Sequence, residues 1–176
     1  LRTAFQGMYE MEQQMLDLYD KMGDATPEEL DKMMNTVGEI QSELAHSGFY
    51  SLDAKIEEVA NGLGLGSVGL DRDVADLSGG QRSKVLLTKL LLQNSNILLL
   101  DEPTNYLDVE HIEWLTKFLQ NYEHAFILIS HDITFLNNVV NVIYHLENSN
   151  LTRYTGDYNR FQEMYAIYKS QQEAAY

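Results

Sequence analysis

The chain has 176 residues, 44% of them apolar and 22% charged, a balance that suits one packed globular domain and argues against disorder. It contains no cysteine, which excludes a disulfide framework and a thiolate metal site, and no apolar run near the roughly 20 residues of a membrane helix. The net charge of −15 is uneven: residues 1–76 carry 16 acids against 5 bases and residues 77–176 carry 11 against 7, so this surface repels phosphate backbones and is a poor match for broad contact with DNA or RNA.

With no basic-then-apolar leader pattern at the N-terminus, the expected location is the cytoplasm. Phe5, Met8, Met11, Met15, Leu16 and Tyr19 recur mostly every three or four positions, which predicts an amphipathic helix over residues 1–22. Thr26-Pro27-Glu28-Glu29 is a helix start, with Thr26 as N-cap, Pro27 at the first helical position and Glu29 returning to the cap; this helix is expected to reach about His46. A third helix is predicted from near Ser51 to Gly62.

The glycine-dense stretch 62–69 contains the letters Gly64-x-Gly66-x-x-Gly69 of a dinucleotide fingerprint. That fingerprint needs a strand before it and a helix opening at its end, whereas here a helix precedes it and Leu70-Asp71-Arg72-Asp73 follows, so a flexible connector is expected instead. Beyond Leu77 the pattern alternates: a helix from about Gly80 to Gln93, apolar run Ile97–Leu100, helix Asp108–Leu119, strand Ala125–Ser130, a short helix after Asp132, a strand over about Val140–His145, a short strand Leu151–Tyr154 and a last helix capped by Asp157. Strands alternating with helices predict an α/β fold with a largely parallel sheet covered by helices.

Three places carry chemistry. Leu77-Ser78-Gly79-Gly80-Gln81 stands directly before a helix, where glycines admit close approach and the first N–H groups and the helix dipole favour an anion; a plain Ser-Gly turn is the other reading. Asp101-Glu102-Pro103 follows the apolar run, so a buried strand delivers two carboxylates at the carboxyl edge of a sheet. Asp101 suits Mg²⁺ through water and Glu102 suits polarising a water for attack on a phosphoryl group, unless the acids merely end the strand. Ser130-His131-Asp132 ends the next strand and brings an imidazole to the same edge, as a phosphate reader or as a capping residue; His46, His111, His124 and His145 have no such company.

Taken together these segments resemble ATP-binding-cassette proteins: Leu77–Gln81 is similar to the signature motif, Ile97–Glu102 to Walker B with its catalytic glutamate, Asn105-Tyr106-Leu107-Asp108 to the D-loop, and Ser130-His131-Asp132 to the switch histidine. The wording of residues 101–108 and the trailing Tyr154-Thr155-Gly156-Asp157-Tyr158 resemble the ABC-F group, which carries two cassettes on one chain, has no membrane domain and acts on ribosomes.

The resemblance implies a truncated P-loop NTPase-type parallel sheet core with an extended helical signature subdomain over 1–93, the rear half of the ATPase core over 94–153, and the start of an inter-cassette linker helix over 154–176. An ordinary C-terminal helix packing its Tyr/Phe stripe on the core fits that last stretch equally. The resemblance further implies ATP and Mg²⁺ as ligands of the parent protein. Glu102 and His131 are the catalytic residues, Asp101 the Mg²⁺ contact, and Leu77, Ser78, Gly79, Gly80 and Gln81 hold an ATP of the partner cassette, with Asn105, Leu107 and Asp108 in the D-loop. Expected partners are a second cassette of the same parent chain and, through the parent's linker, the ribosome and tRNA; no membrane is involved.

One departure stands out: the 176 residues contain no Gly-x-x-x-x-Gly-Lys-Ser/Thr, so the phosphate-binding loop, the Q-loop glutamine and the adenine-stacking aromatic are expected before Leu1. The chain alone is therefore expected not to hydrolyse ATP, and its uncovered sheet edges are expected to favour self-association. The alternatives are a transporter's nucleotide-binding domain, which shares these motifs, a chromosome-maintenance or repair ATPase, whose long heptad coiled coils are not seen in these residues, and a noncatalytic binding or scaffold module. The geometric requirement is that Asp101, Glu102 and His131 converge on one rim while Leu77–Gln81 opens an outward-facing helix.

Overall fold

The computed structural model describes residues 1–70 and 72–174; Asp71 and the last two residues of the expected linker lie outside the described residues. The chain divides into two compact units, Leu1–Asn94 and Ser95–Tyr176, each taken here by itself.

The first unit is helical, as its spacing requires. A 3-10 turn at Arg2–Phe5 leads into α1 (Gln6–Met22), followed by α2 (Pro27–His46), a second 3-10 turn at Phe49–Ser51, α3 (Leu52–Gly62) and α4 (Gly79–Leu92). Thr26 and Glu29 close a reciprocal capping box at the start of α2, with Thr26 Oγ1 accepting from Glu29 N–H and the Glu29 carboxylate accepting from Thr26 N–H at 3.0 Å. Those hydrogen bonds hold the Glu29 carboxyl below the usual carboxylate range. Met15 of α1 and Val37 and Leu44 of α2 are buried, the inward stripe of a helical hairpin, and Phe49 meets the Tyr9 ring edge-on at 5.3 Å.

The glycine-dense stretch departs from the expected flexible connector. Leu65 N–H reaches back to Ala60 O at 2.8 Å across Gly64, whose φ is +79°, which is the left-handed C-terminal cap of α3. Leu63 and Leu65 are buried on either side of that cap, so apolar burial anchors a segment whose glycine count suggested slack.

In the second unit, β1 (Ile97–Asp101) pairs with β2 (Ala125–Ile129) in parallel through α5 (Val109–Gln120), a crossover of the expected kind. The apolar run expected as a fully buried strand is buried on one face only: Leu98 and Leu100 are buried while Ile97, Leu99, Ile127 and Ile129 on the opposite face stay exposed, because no element covers that face among the described residues. After α6 (Ile133–Val139) the sheet does not continue in parallel. Instead β3 (Val142–Glu147) and β4 (Asn150–Thr155) form an antiparallel hairpin. The physical reason is Asn148-Ser149: both residues take positive φ, +50° and +63°, the two-residue turn whose twist suits adjacent antiparallel strands.

A last helix, α7 (Tyr158–Ala174), starts where Asp157 Oδ1 accepts from Arg160 N–H at 2.8 Å. Its first turns pack on the hairpin: Phe161 is buried and meets Tyr154 at 5.0 Å, and His145 meets Tyr165 at 4.7 Å. Tyr165 donates to Glu147 Oε1 at 2.7 Å, and that hydrogen bond to a carboxylate raises the phenol's pKa. Further along, Ile167 and Tyr168 are exposed. A trench of about 1270 Å³ is lined by residues of both β2 and β3 together with Leu119, Leu136 and Phe161. Within the described pairings, β2 and β3 each bond a neighbour along one edge only.

Thr26→Ala removes half of the capping box and is expected to lower unfolding free energy by about 1 kcal/mol, read from urea denaturation. The same variant is expected to let the Glu29 carboxyl rise toward its ordinary range in an NMR titration. Because this carboxyl is depressed in the folded chain, its contribution is present above the unfolded-state pKa and is lost as pH falls through the folded one.

Candidate functional site

The parallel pairing sets the site. Asp101 lies opposite Ile129, so the residues that follow each strand, Glu102 on one and Ser130-His131 on the other, leave the sheet side by side. Glu102 N–H donates to Ile129 O at 2.8 Å, extending the ladder by one step, and His131 N–H donates to Glu102 Oε2 at 3.3 Å. Pro103, buried, cannot donate to a further ladder bond and turns the chain away. Asp101, Glu102 and His131 are thereby brought to one rim at the carboxyl end of the two strands.

Glu102 is held under strain and is short of a partner. Its φ is +46°, a left-handed conformation that side-chain-bearing residues avoid. Its Oε1 is buried with no hydrogen bond. His131 Nε2 stands 3.5 Å from that atom, long for a hydrogen bond and an ion pair only when the imidazole is protonated. The His131 side chain itself is 98% exposed, so solvent or a ligand reaches it freely. A carboxylate with one committed and one orphaned oxygen is suited to accept a proton from a small donor such as water.

Asp101 is exposed at the end of β1. Among the described residues no cluster of three or more His, Cys, Asp or Glu side chains is arranged to hold a metal ion. A divalent cation at Asp101 would therefore need further oxygens from outside this set.

The turn after Glu102 is tightly bonded. Asn105 N–H donates to Glu102 O and Leu107 N–H to Thr104 O, both at 3.1 Å, while Tyr106 takes φ +67° and projects largely into solvent. Asn105 is exposed and Leu107 half-buried; Asp108 caps α5, its Oδ1 accepting from His111 N–H at 3.2 Å. His145 serves aromatic packing under α7, and His46 hydrogen-bonds Ser42 O within α2.

Leu77–Gln81 belongs to the first unit. Leu77 is buried, and Ser78 is the N-cap of α4, with Ser78 Oγ accepting from Gln81 N–H at 3.2 Å and Gln81 Oε1 accepting from Ser78 N–H at 3.0 Å. Gln81 is thus committed to the cap rather than pointing away. Gly79 and Gly80 occupy the first helical positions, whose N–H groups have no acceptor within the helix, and space is open where a Gly79 Cβ would stand. Arg82 was not singled out from sequence, yet it braces the segment: Nε donates to Leu77 O at 3.1 Å and a terminal nitrogen to Ala75 O at 2.9 Å. Its position four residues after the Ser78 cap is the signal that was available, since from there a long side chain reaches back over the entering loop.

The comparisons with known proteins agree with one another. A family model described as "ABC transporter" matches residues 5–105. The chain is 61% identical, over all of its 176 residues and 34% of the relative's length, to the uncharacterized ABC transporter ATP-binding protein YfmM of Bacillus subtilis. It is 40% identical over 133 residues, 76% of this chain and 24% of the relative, to the energy-dependent translational throttle protein EttA of Mycobacterium tuberculosis. Among solved structures, the RNase-L inhibitor superposes with a TM-score of 0.53 at 26% identity, over 72% of this chain and 26% of that one. The chain spans about a third or less of the length of these proteins. No helix among the described residues is long and apolar enough to cross a membrane.

Glu102→Gly is expected to stabilise the chain by about 0.5–1 kcal/mol, because relief of the left-handed backbone exceeds the added chain entropy of glycine. A urea midpoint below that of the unchanged chain would contradict the assignment of strain to this position.

Proposed function

The chain belongs to the ABC transporter family of ATP-binding cassettes, and from that premise we propose that it is the rear portion of an ABC-F-type cassette whose parent protein binds and hydrolyses ATP to act on the ribosome. The observation that carries the reading is the rim formed by Asp101, Glu102 and His131, with one oxygen of Glu102 unsatisfied. In this reading residues 1–93 are the helical signature subdomain, 94–153 the rear half of the ATPase core and 154–176 the start of an inter-cassette linker.

Bound ATP with Mg²⁺ supplies the phosphoryl group and neutralises its charge. The Glu102 carboxylate, one oxygen of which has no hydrogen-bond partner, polarises and orients the attacking water, and the His131 imidazole, exposed and adjacent, reads the terminal phosphate. Asp101 is the residue that would hold the cation, which would supply charge neutralisation of the phosphates. Ser78, Gly79 and Gly80 present a capped helix N-terminus to the ATP of a partner cassette, with Leu77 anchoring that segment and Arg82 bracing it. Asn105, Leu107 and Asp108 form the D-loop between the two nucleotide sites.

The trench beside β2 supports the same view. An apolar sheet face and an unpaired strand edge are what a missing neighbour strand leaves behind, and the phosphate-binding loop must be carried on such a strand. Action on translation is supported by the 40% identity to a protein whose name describes a translational throttle. A cytoplasmic setting, with a second cassette, ribosome and tRNA as partners, goes with this reading.

Glu102→Gln in the full-length parent is the decisive experiment: turnover is expected to fall at least about a hundredfold while ATP remains trapped, and unchanged turnover would end the proposal. For the 176-residue chain alone, calorimetry is expected to find no ATP binding in the micromolar range. Light scattering over a wide concentration range is expected to find association, reduced by Ile127→Lys on the uncovered sheet face.

A further inference from the structure

The hairpin of α1 and α2 carries a surface that neither its own packing nor the reading above uses. Its inward stripe is complete, with Met15, Val37 and Leu44 buried. Outside that stripe, Met34 is 60% exposed, Leu16 46% and Tyr19 44%. These side chains form one surface. Met34, Gly38 and Gln41 are spaced four and three apart and share a face of α2, and Gln41 Nε2 donates to Tyr19 Oη at 2.8 Å, which joins that face to α1 with Leu16 one turn before Tyr19.

Gly38 sits at the middle of this surface. It is exposed inside a 20-residue helix, takes no left-handed conformation, and nothing lies within 4 Å of where its Cβ would be. A glycine in a helix interior is unfavourable relative to alanine, and here neither a turn nor a contact within the chain requires it. Close approach by another backbone is the remaining physical use of a missing side chain.

Charge selects what approaches. The segment 6–46 carries ten carboxylates against two lysines, and all of the ten but Glu12 are exposed. Such a surface repels nucleic-acid phosphates and also a second copy of itself, while it attracts cations. The hairpin offers no strand edge to pair with, so an extended peptide gains no ladder; a helix laid across the shallow face buries its apolar stripe on Met34, Leu16 and Tyr19. We propose that this face docks a basic, amphipathic protein helix whose backbone passes over Gly38, with its lysines and arginines flanked by the hairpin's carboxylates. The proposal is independent of the ATPase reading.

The test uses the whole ¹⁵N-labelled chain and two synthetic helices of about 20 residues, studied at about 150 mM salt. One has a Leu/Ala stripe with lysines elsewhere; the other keeps the lysines and replaces the stripe by Gln and Ser. The striped helix is expected to shift amide resonances around Gly38, Met34 and Tyr19, and Gly38→Leu and Met34→Glu are each expected to weaken it at least about tenfold with helicity and thermal midpoint retained. Equal binding of both helices with shifts following the carboxylates, binding unchanged in both variants, absence of binding, or concentration-dependent shifts at this face without peptide would each overturn the proposal.

Discussion

Parallel pairing between β1 and β2, in the register that sets Asp101 against Ile129, is the constraint on which the candidate site depends. Neither strand is long, and each is followed at once by its polar residues. A parallel ladder brings the carboxyl ends of its strands to the same side, so two short polar segments 29 positions apart in the chain meet without any dedicated loop between them. The same pairing supplies the carbonyl that receives Glu102 N–H, and thereby fixes a residue whose backbone is left-handed. A one-step slip would carry Glu102 to the opposite face and separate it from His131.

Strain and polarity are concentrated at that point and nearly nowhere else in the second unit's core. Glu102 combines a left-handed backbone with a buried, orphaned oxygen, while Leu98, Leu100, Leu115, Leu119 and Phe135 form an apolar base that holds it there. Tyr106, four residues on, is the second left-handed residue of the same turn. Such positions persist only where surrounding packing over-determines them, and two of them fall within one turn beside the Glu102 carboxylate.

The two units solve their boundary problems differently. In the first, helix ends are closed by side chains, through the boxes Thr26–Glu29 and Ser78–Gln81 and the glycine cap at Gly64. In the second, strand edges and an apolar sheet face remain uncovered, and the trench lined by β2 and β3 lies along them. Helices satisfy their backbone internally and sheets do not, so the helical unit closes on its own caps while the sheet edges depend on neighbours.

Much of this was readable from local pattern. The helix starts at Thr26, Asp108 and Asp157 follow from a polar side chain placed before a periodic run, and β1 and β2 follow from short apolar runs bounded by polar turns. These depend on neighbours within four residues, which a linear reading contains. The antiparallel hairpin of β3 and β4, the anchoring of Leu63 and Leu65, the brace made by Arg82 and the open oxygen of Glu102 were not readable in that way. Turn handedness at Asn148-Ser149, burial of two leucines among glycines, and the number of donors reaching one carboxylate are decided by what the folded chain brings near. Composition and spacing thus determined which segments form helices and strands, while only tertiary packing decided which strands pair, which oxygen stays unpartnered and which faces are left bare.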